Sequence, residues 1–364
     1  MSTRTAILLS AATGLGLALS QTVASQETAA PAGITSPVGQ APVAEQPQQP
    51  EVQAIADIGG VLTPRGRLVI EPSLQYSHSG VNRLTFRGIE ILSTLLIGVF
   101  SAEEAERDIW TAALTGRLGV TDRLELELRV PYVYRDDTLT ATVPTIENQS
   151  PEIERDLSGN GLGDIELTAR YQLNRGQGGW PFFVGNLRYK SVTGDGPFDI
   201  ARDSQGIEQE LATGSGFHAI EPSITALFPS DPAVFFANLG YLYNMSDTVN
   251  KQVSDELWIG KVDPGDAVRL SFGMAYAINP RASFTLGFKN DFIDRTKTEY
   301  FDDNGRATLS SRTLNVGSLL LGWSYQINPD VSVNLGLELG VTDDAPNTVL
   351  TLRVPFGTNA LARW

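Results

Sequence analysis

Residues Val331–Val341, "VSVNLGLELGV", alternate without interruption. Val or Leu stands at 331, 333, 335, 337, 339 and 341, and Ser, Asn, Gly, Glu and Gly stand between them. Side chains alternate across a strand with period two, so the pattern predicts a β-strand with one apolar and one polar face. Leu68–His78 repeats it, with Leu68, Ile70, Leu74 and Tyr76 opposite Glu71, Ser73 and Gln75. Arg123–Arg135 sets Leu124, Leu126, Leu128, Val130, Tyr132 and Tyr134 against Glu125, Glu127 and Arg129. Asp164–Asn174 and Asp266–Ile278 are built alike, and less regular runs lie near 107–120, 180–192, 215–228, 233–245, 281–293, 312–327 and 347–356. Twelve strands are expected.

The connections are of two kinds that alternate along the chain. Short ones ("VTDR", "NRGQGGWP", "PSDPA", "NPRA", "NPDV") are built from turn-forming Pro, Gly, Asn and Asp. Long polar ones fall at about 135–160, 193–214, 246–264 and 294–311. Tight turns at one end and long loops at the other describe an up-and-down transmembrane barrel. The runs also exceed the usual soluble strand of about 5–6 residues and suit a tilted bilayer crossing of about 9–11. Tyr132, Tyr134, Tyr241, Tyr243, Trp323 and Tyr325 near strand ends fit interfacial aromatic belts. The rival is an exported β-sandwich, which accounts for neither strand length nor loop asymmetry. Val81–Phe100, "VNRLTFRGIEILSTLLIGVF", resists the scheme. It either extends the first hairpin, keeping twelve strands, or adds two crossings to make fourteen.

Composition narrows the function. With 27 basic and 42 acidic residues, a formal charge of -15, the 364-residue chain repels nucleic acid. It contains no cysteine and two histidines, which excludes thiolate metal sites and leaves little for histidine chemistry. No cofactor or metal is expected. Arg4 followed by "AILLSAATGLGLALS" and "QTVASQ" reads as a secretory signal over residues 1–24. A Pro/Gln/Ala-rich stretch over 25–60 reads as a linker.

If the apolar faces meet lipid, the polar faces line a lumen. Its charged members are then Glu71, Arg117, Glu125, Glu127, Arg129, Asp164, Glu166, Arg170, Arg188, Lys190, Glu221, Arg269, Lys289, Asp291, Glu338 and Arg353. Charges at membrane depth face water or a partner, so these are expected to pair across neighbouring strands, Glu338 with Arg353 on the next strand. Twelve strands enclose more than a filled eight-stranded barrel and less than a sixteen-stranded porin. That leaves a narrow channel for a small solute, or a plugged barrel whose loops do the work. A rim hydrolase would need His78 beside Ser77 and Ser79, or His218 beside Ser215. A histidine beside serine on a strand is ordinary, and no enzyme activity is expected. "YFDDNG" at 300–305 lacks the ligands of a calcium loop, and "GNGLGD" at 159–164 lacks the lysine and helix of a phosphate loop.

"LGVTDRLELELRVPYVYR" (118–135), "GNGLGDIELTARYQL" (159–173) and "GVTDDAPNTVLTLRVPF" (340–356) resemble the bacterial outer-membrane proteins of the MetA-pathway of phenol degradation family. The resemblance spans most of 60–356. It implies an outer-membrane barrel passing small aromatic or hydrophobic molecules, and it carries no catalytic or binding residues with it.

Counting back from Phe356 by twos gives Val354, Leu352 and Leu350, the alternating aromatic-ended strand that outer-membrane assembly machinery reads. The same count from Trp364 meets Ala362, Ala360 and Thr358. The expected layout is therefore a barrel over 61–356, closed by Phe356, with a tail over 357–364. Its partners would be outer-membrane lipid, the barrel assembly machinery and a small solute.

Overall fold

The computed structural model describes residues 62–85, 101–142, 152–176, 179–202, 208–254, 257–302 and 305–358. The signal, the linker and residues 359–364 of the tail lie outside them, as do residues 86–100. The strands are β1 Leu68–Thr85, β2 Ser101–Thr121, β3 Leu124–Thr142, β4 Glu152–Leu162, β5 Glu166–Gln172, β6 Phe182–Lys190, β7 Ala219–Ser230, β8 Ala233–Asn244 and β9 Asp247–Ser254. They continue as β10 Leu257–Asp263, β11 Ala267–Asn279, β12 Ala282–Ile293, β13 Lys297–Asp302, β14 Gly305–Ser310, β15 Leu314–Asn328, β16 Val331–Gly340, β17 Thr348–Arg353 and β18 Phe356–Thr358.

Twelve staves close into one antiparallel barrel. Two staves are split: β4 and β5 both pair with β3, and β17 and β18 both pair with β1 and β16. The last stave runs two residues past Phe356, to Thr358, which pairs with Leu68. β1 and β2 pair directly from Leu68↔Leu118 up to Thr85↔Ser101. The segment that left the count open therefore begins as an extension of the first hairpin, and the ring holds twelve.

The wall is inside-out relative to a soluble domain. Leu74, Leu114, Leu126, Leu239, Phe272, Leu286, Leu335 and Leu352 are all more than a third exposed, whereas Glu71, Arg117, Glu125, Thr168, Thr225, Thr285 and Thr351 are buried. Only a lipid surround makes that arrangement favourable, because closure satisfies every ladder hydrogen bond and the apolar stripe meets hydrocarbon. Alternation thus placed the aliphatics of Val331–Val341 outward and Ser332, Asn334, Gly336 and Glu338 inward.

The long connections are more ordered than their polar composition suggests. The stretch at 135–160 is not one loop: β3 continues to Thr142 and β4 begins at Glu152, so a hairpin stands above the membrane. Residues 246–264 and 294–311 each form a hairpin, β9–β10 and β13–β14, and the two join as a four-stranded sheet in the order β14-β13-β10-β9. Ile259 and Val262 of that sheet pack with Phe198 and Phe217 from the β6–β7 connection. Apolar residues inside a polar loop gave these loops their own small core.

Candidate functional site

The polar face of the barrel carries a ladder of ion pairs that crosses from strand to strand. Arg117 pairs with Glu71 and lies 3.6 Å from Glu127, while Arg170 bridges Glu125 at 2.5 Å and Glu127 at 2.8 Å. A second run goes from Arg129 to Glu166 (3.6 Å), Arg188 (3.0 Å), Glu221, Arg269 (3.1 Å) and Asp291 (3.3 Å). Register explains the continuity: Arg129 faces Glu166, Glu166 faces Lys190 one step above Arg188, and Arg188 faces Glu221. Directly opposed residues on one face stand about 4.5–5.5 Å apart, within reach of such pairs.

Glu338 departs from the expected pairing. Its partner is Lys289 of β12, not Arg353. Glu338 is opposite Val349, whereas Arg353 is opposite Asn334, four residues lower or about 13 Å along the strand. Lys289 reaches over the small Ser318 of the intervening β15.

Among the described residues, an inner and an outer cavity lie in the interior. The inner one, about 430 Å³, is lined by Glu127, Glu166, Arg170, Arg188, Glu221, Lys289, Glu338 and Arg353 and by the Gly322 and Gly336 wall. The outer one, about 400 Å³, is lined by Arg129, Asp164, Glu166, Lys190 and Arg269 among others. Glu166 borders both, so the ladder lies between the two chambers. Glu71, Arg117 and Glu125 line neither; they are 6%, 8% and 1% exposed and form part of the wall. The Thr63 amide donates to Glu125 at 2.6 Å, which tucks the segment before β1 against the base of that wall.

The outer chamber is roofed by the β6–β7 connection, and the "GLGD" segment holds it there. Asp164 accepts from the Gly194 amide (3.2 Å), the Ser215 amide (2.8 Å) and the Ser215 hydroxyl (2.7 Å). Thr213 donates to the Leu162 carbonyl at 2.8 Å, and Thr193 to the Gly163 carbonyl at 3.0 Å. Gly194 and Gly214 touch backbone to backbone; a Cβ on Gly194 would lie 2.7 Å from the Gly214 Cα, so only glycine fits. The motif is a structural knot at the break between β4 and β5. Further out, Arg202 donates to Glu208 at 2.9 Å, and Arg135 donates to Ala212 (2.9 Å) and Asp137 (3.1 Å). Burial, which outweighs the Arg202 contact, pushes the Glu208 carboxyl up to about 7.

Alternation alone missed an apolar collar on the lumen face of the outer chamber. Ile109, Val133, Leu242 and Ile293 occupy positions that should be polar, joined by Phe217 from the roof. A second set, Leu227, Phe236 and Ala275, clusters inside near the tight-turn end. The sequence signal is a break in alternation, as in "VPYVY" and "YLY", where both faces are apolar together.

The histidines face outward, with Tyr76 and Trp110. His78 Nδ1 lies 2.9 Å from Asp108, which also accepts from Tyr76 at 2.6 Å, while alternation turns Ser77 and Ser79 to the other face. His218 stacks on Tyr189 (centroids 5.8 Å apart) and bonds its hydroxyl at 2.8 Å. Ser215 is held by Asp164 and by Lys190 at 2.6 Å. Neither histidine is paired with a serine among the described residues. Tyr132 and Tyr241 likewise donate to Asn160 (2.9 Å) and Asp266 (2.6 Å), forming a belt at the long-loop end, while Tyr276, Trp323 and Tyr325 mark the other end.

A closed twelve-stave wall with lipid-facing aliphatics, two aromatic belts and a charged interior defines a transmembrane β-barrel of the bacterial outer membrane. More narrowly, the chain belongs to the family described as Putative MetA-pathway of phenol degradation, which it matches over residues 98–356. It is also similar to several solved barrels. One is a TodX deltaS2S3 mutant monoaromatic hydrocarbon channel: 11% identity, 82% of this chain and 91% of that one, TM-score 0.46. Another is the toluene transporter TbuX of Ralstonia pickettii: 10% identity, 81% and 90%, TM-score 0.38. A third is the translocator domain of the autotransporter NalP from Neisseria meningitidis: 10% identity, 84% and 92%, TM-score 0.39. None is close enough to carry residue roles across.

Proposed function

We propose that the protein is a passive outer-membrane channel for a small solute with an apolar body, and that it has no catalytic activity. The supporting observation is the pair of chambers on either side of Glu166 inside a largely polar wall. A filled eight-stranded barrel leaves no such space. The apolar collar suits the aromatic or hydrophobic cargo that the family resemblance implies. In this reading Arg129, Asp164, Glu166, Lys190 and Arg269 border the outer stage of the path, and Glu127, Arg170, Arg188, Glu338 and Arg353 the inner stage. Glu71, Arg117 and Glu125 hold the wall.

The roof over the outer chamber favours a second reading, a capped barrel acting through its external sheet. Purified full-length protein in a planar bilayer separates the two. The channel reading expects discrete ohmic conductance steps; no current at any voltage would leave the capped barrel. Assembly would be handled by the outer-membrane insertion machinery reading the last stave. Deleting residues 359–364 should then leave membrane assembly intact, while Phe356→Ala should reduce it; the reverse result would remove this assignment.

A further inference from the structure

The outer chamber divides by level. At its mouth, Ile109 and Val133 of neighbouring β2 and β3 stand across the ring from Leu242 and Ile293 of β8 and β12, both of which flank Ala267 on β11. These staves are four to six places apart in a ring of twelve, which puts the two apolar patches on opposing walls. Below the collar lie cations. Arg129 is four residues down β3 from Val133 and level with Lys190 through Glu166.

The acids nearest these cations are already engaged. Asp164 accepts three hydrogen bonds from the roof, leaving Lys190 at 3.7 Å. Glu166 is held by Arg188 at 3.0 Å, leaving Arg129 at 3.6 Å with its side chain 31% exposed. Arg129 is thus the loose end of the second ladder, facing a cavity that carries two apolar patches above it beside Gln75, Thr111 and Asn244.

We propose that the outer chamber binds a small organic acid, its apolar body between the collar patches and its carboxylate on Arg129 and Lys190. This deepens the channel reading and rests on it where the acid is regarded as cargo. A charged floor penalises a neutral hydrocarbon, which cannot replace the water hydrating Arg129, and a cation meets like charge. Acetate fits the floor and leaves the collar wet. Both features are needed, so the ligand class follows from their coincidence.

Calorimetric titration of detergent-purified, full-length protein tests it with four probes: benzoate, toluene, acetate and benzylamine. Benzoate should bind at least tenfold tighter than each of the others. Arg129→Gln should weaken benzoate roughly ten- to hundredfold, the worth of a charge-assisted hydrogen bond, and leave toluene unchanged. Arg129→Lys should restore part of the loss, and Val133→Asn should weaken benzoate and toluene together. Heat-modifiable gel migration confirms that each variant is folded. Toluene or benzylamine matching benzoate, an unaffected Arg129→Gln variant, or no binding by any probe would overturn the proposal; the last result would mean that the collar only seats the roof. Benzoate binding without bilayer current would sink the channel reading alone. Ohmic current without benzoate preference would sink the site alone.

Discussion

Two parts of the barrel wall solve the same problem differently. From β1 round to β12 the inner face carries most of the charged residues, nearly all of them tied into the ladder, with apolar patches at the two ends. From β15 to β17 the inner face is mostly small, with Ser318, Gly322, Ser324, Ser332, Gly336 and Thr351 beside Leu320, Asn334 and Val349, and Glu338 and Arg353 are its charged members. The inner chamber lies against this small-residue wall. Backbone hydrogen bonds fix the spacing of neighbouring staves, while long paired side chains fill the interior on one side and small ones leave room on the other. Filling and opening of the lumen are therefore set by different strands.

The largest test of this contrast falls on the charged wall. Arg170→Ala would leave the buried Glu125 without a cation and Glu127 with only its 3.6 Å contact to Arg117, and should cost about 3–5 kcal/mol, read as a lower urea midpoint for unfolding from lipid vesicles. Next is the outer face of the small-residue wall. Leu335→Arg puts a cation against hydrocarbon near mid-bilayer and should cost about 2–4 kcal/mol in the same assay. Gly336→Trp should barely change stability, since a Cβ there meets only Thr351 at 3.9 Å, yet it should cut single-channel conductance several-fold. Unchanged conductance in the Gly336→Trp variant would mean the solute path avoids this wall.

The smallest effect concerns the roof. A carboxyl whose folded value, about 7, exceeds its ordinary 4.5 binds its proton more tightly when the roof is closed. The roof is therefore most stable below about pH 4.5, loses that contribution as pH rises towards 7, and has lost it above. Hydrogen exchange across 208–214, corrected for its intrinsic pH dependence, should be slower at pH 5 than at pH 8. Glu208→Gln should flatten the difference.

Alternation made the barrel legible because its period is a local property: each residue's face follows from its neighbour's. The same regularity located the charged residues of the ladder. Pairing was less legible, as Glu338 shows, because a partner depends on register and on how small the intervening residue is. The strand extensions above the membrane and the two loop hairpins were hidden for a related reason. Polar strands in water carry no apolar stripe to announce them.

By itself, then, the sequence determined which face of each stave meets lipid and where the tight turns fall. These depend on interactions within a few residues of chain. The tertiary structure decided what stands across the lumen from what: Val133 from Leu242, Arg129 beside an acid already taken, and Asp164 beneath two glycine-rich segments. Those relations join residues tens to more than a hundred positions apart, and closure of the ring brings them together.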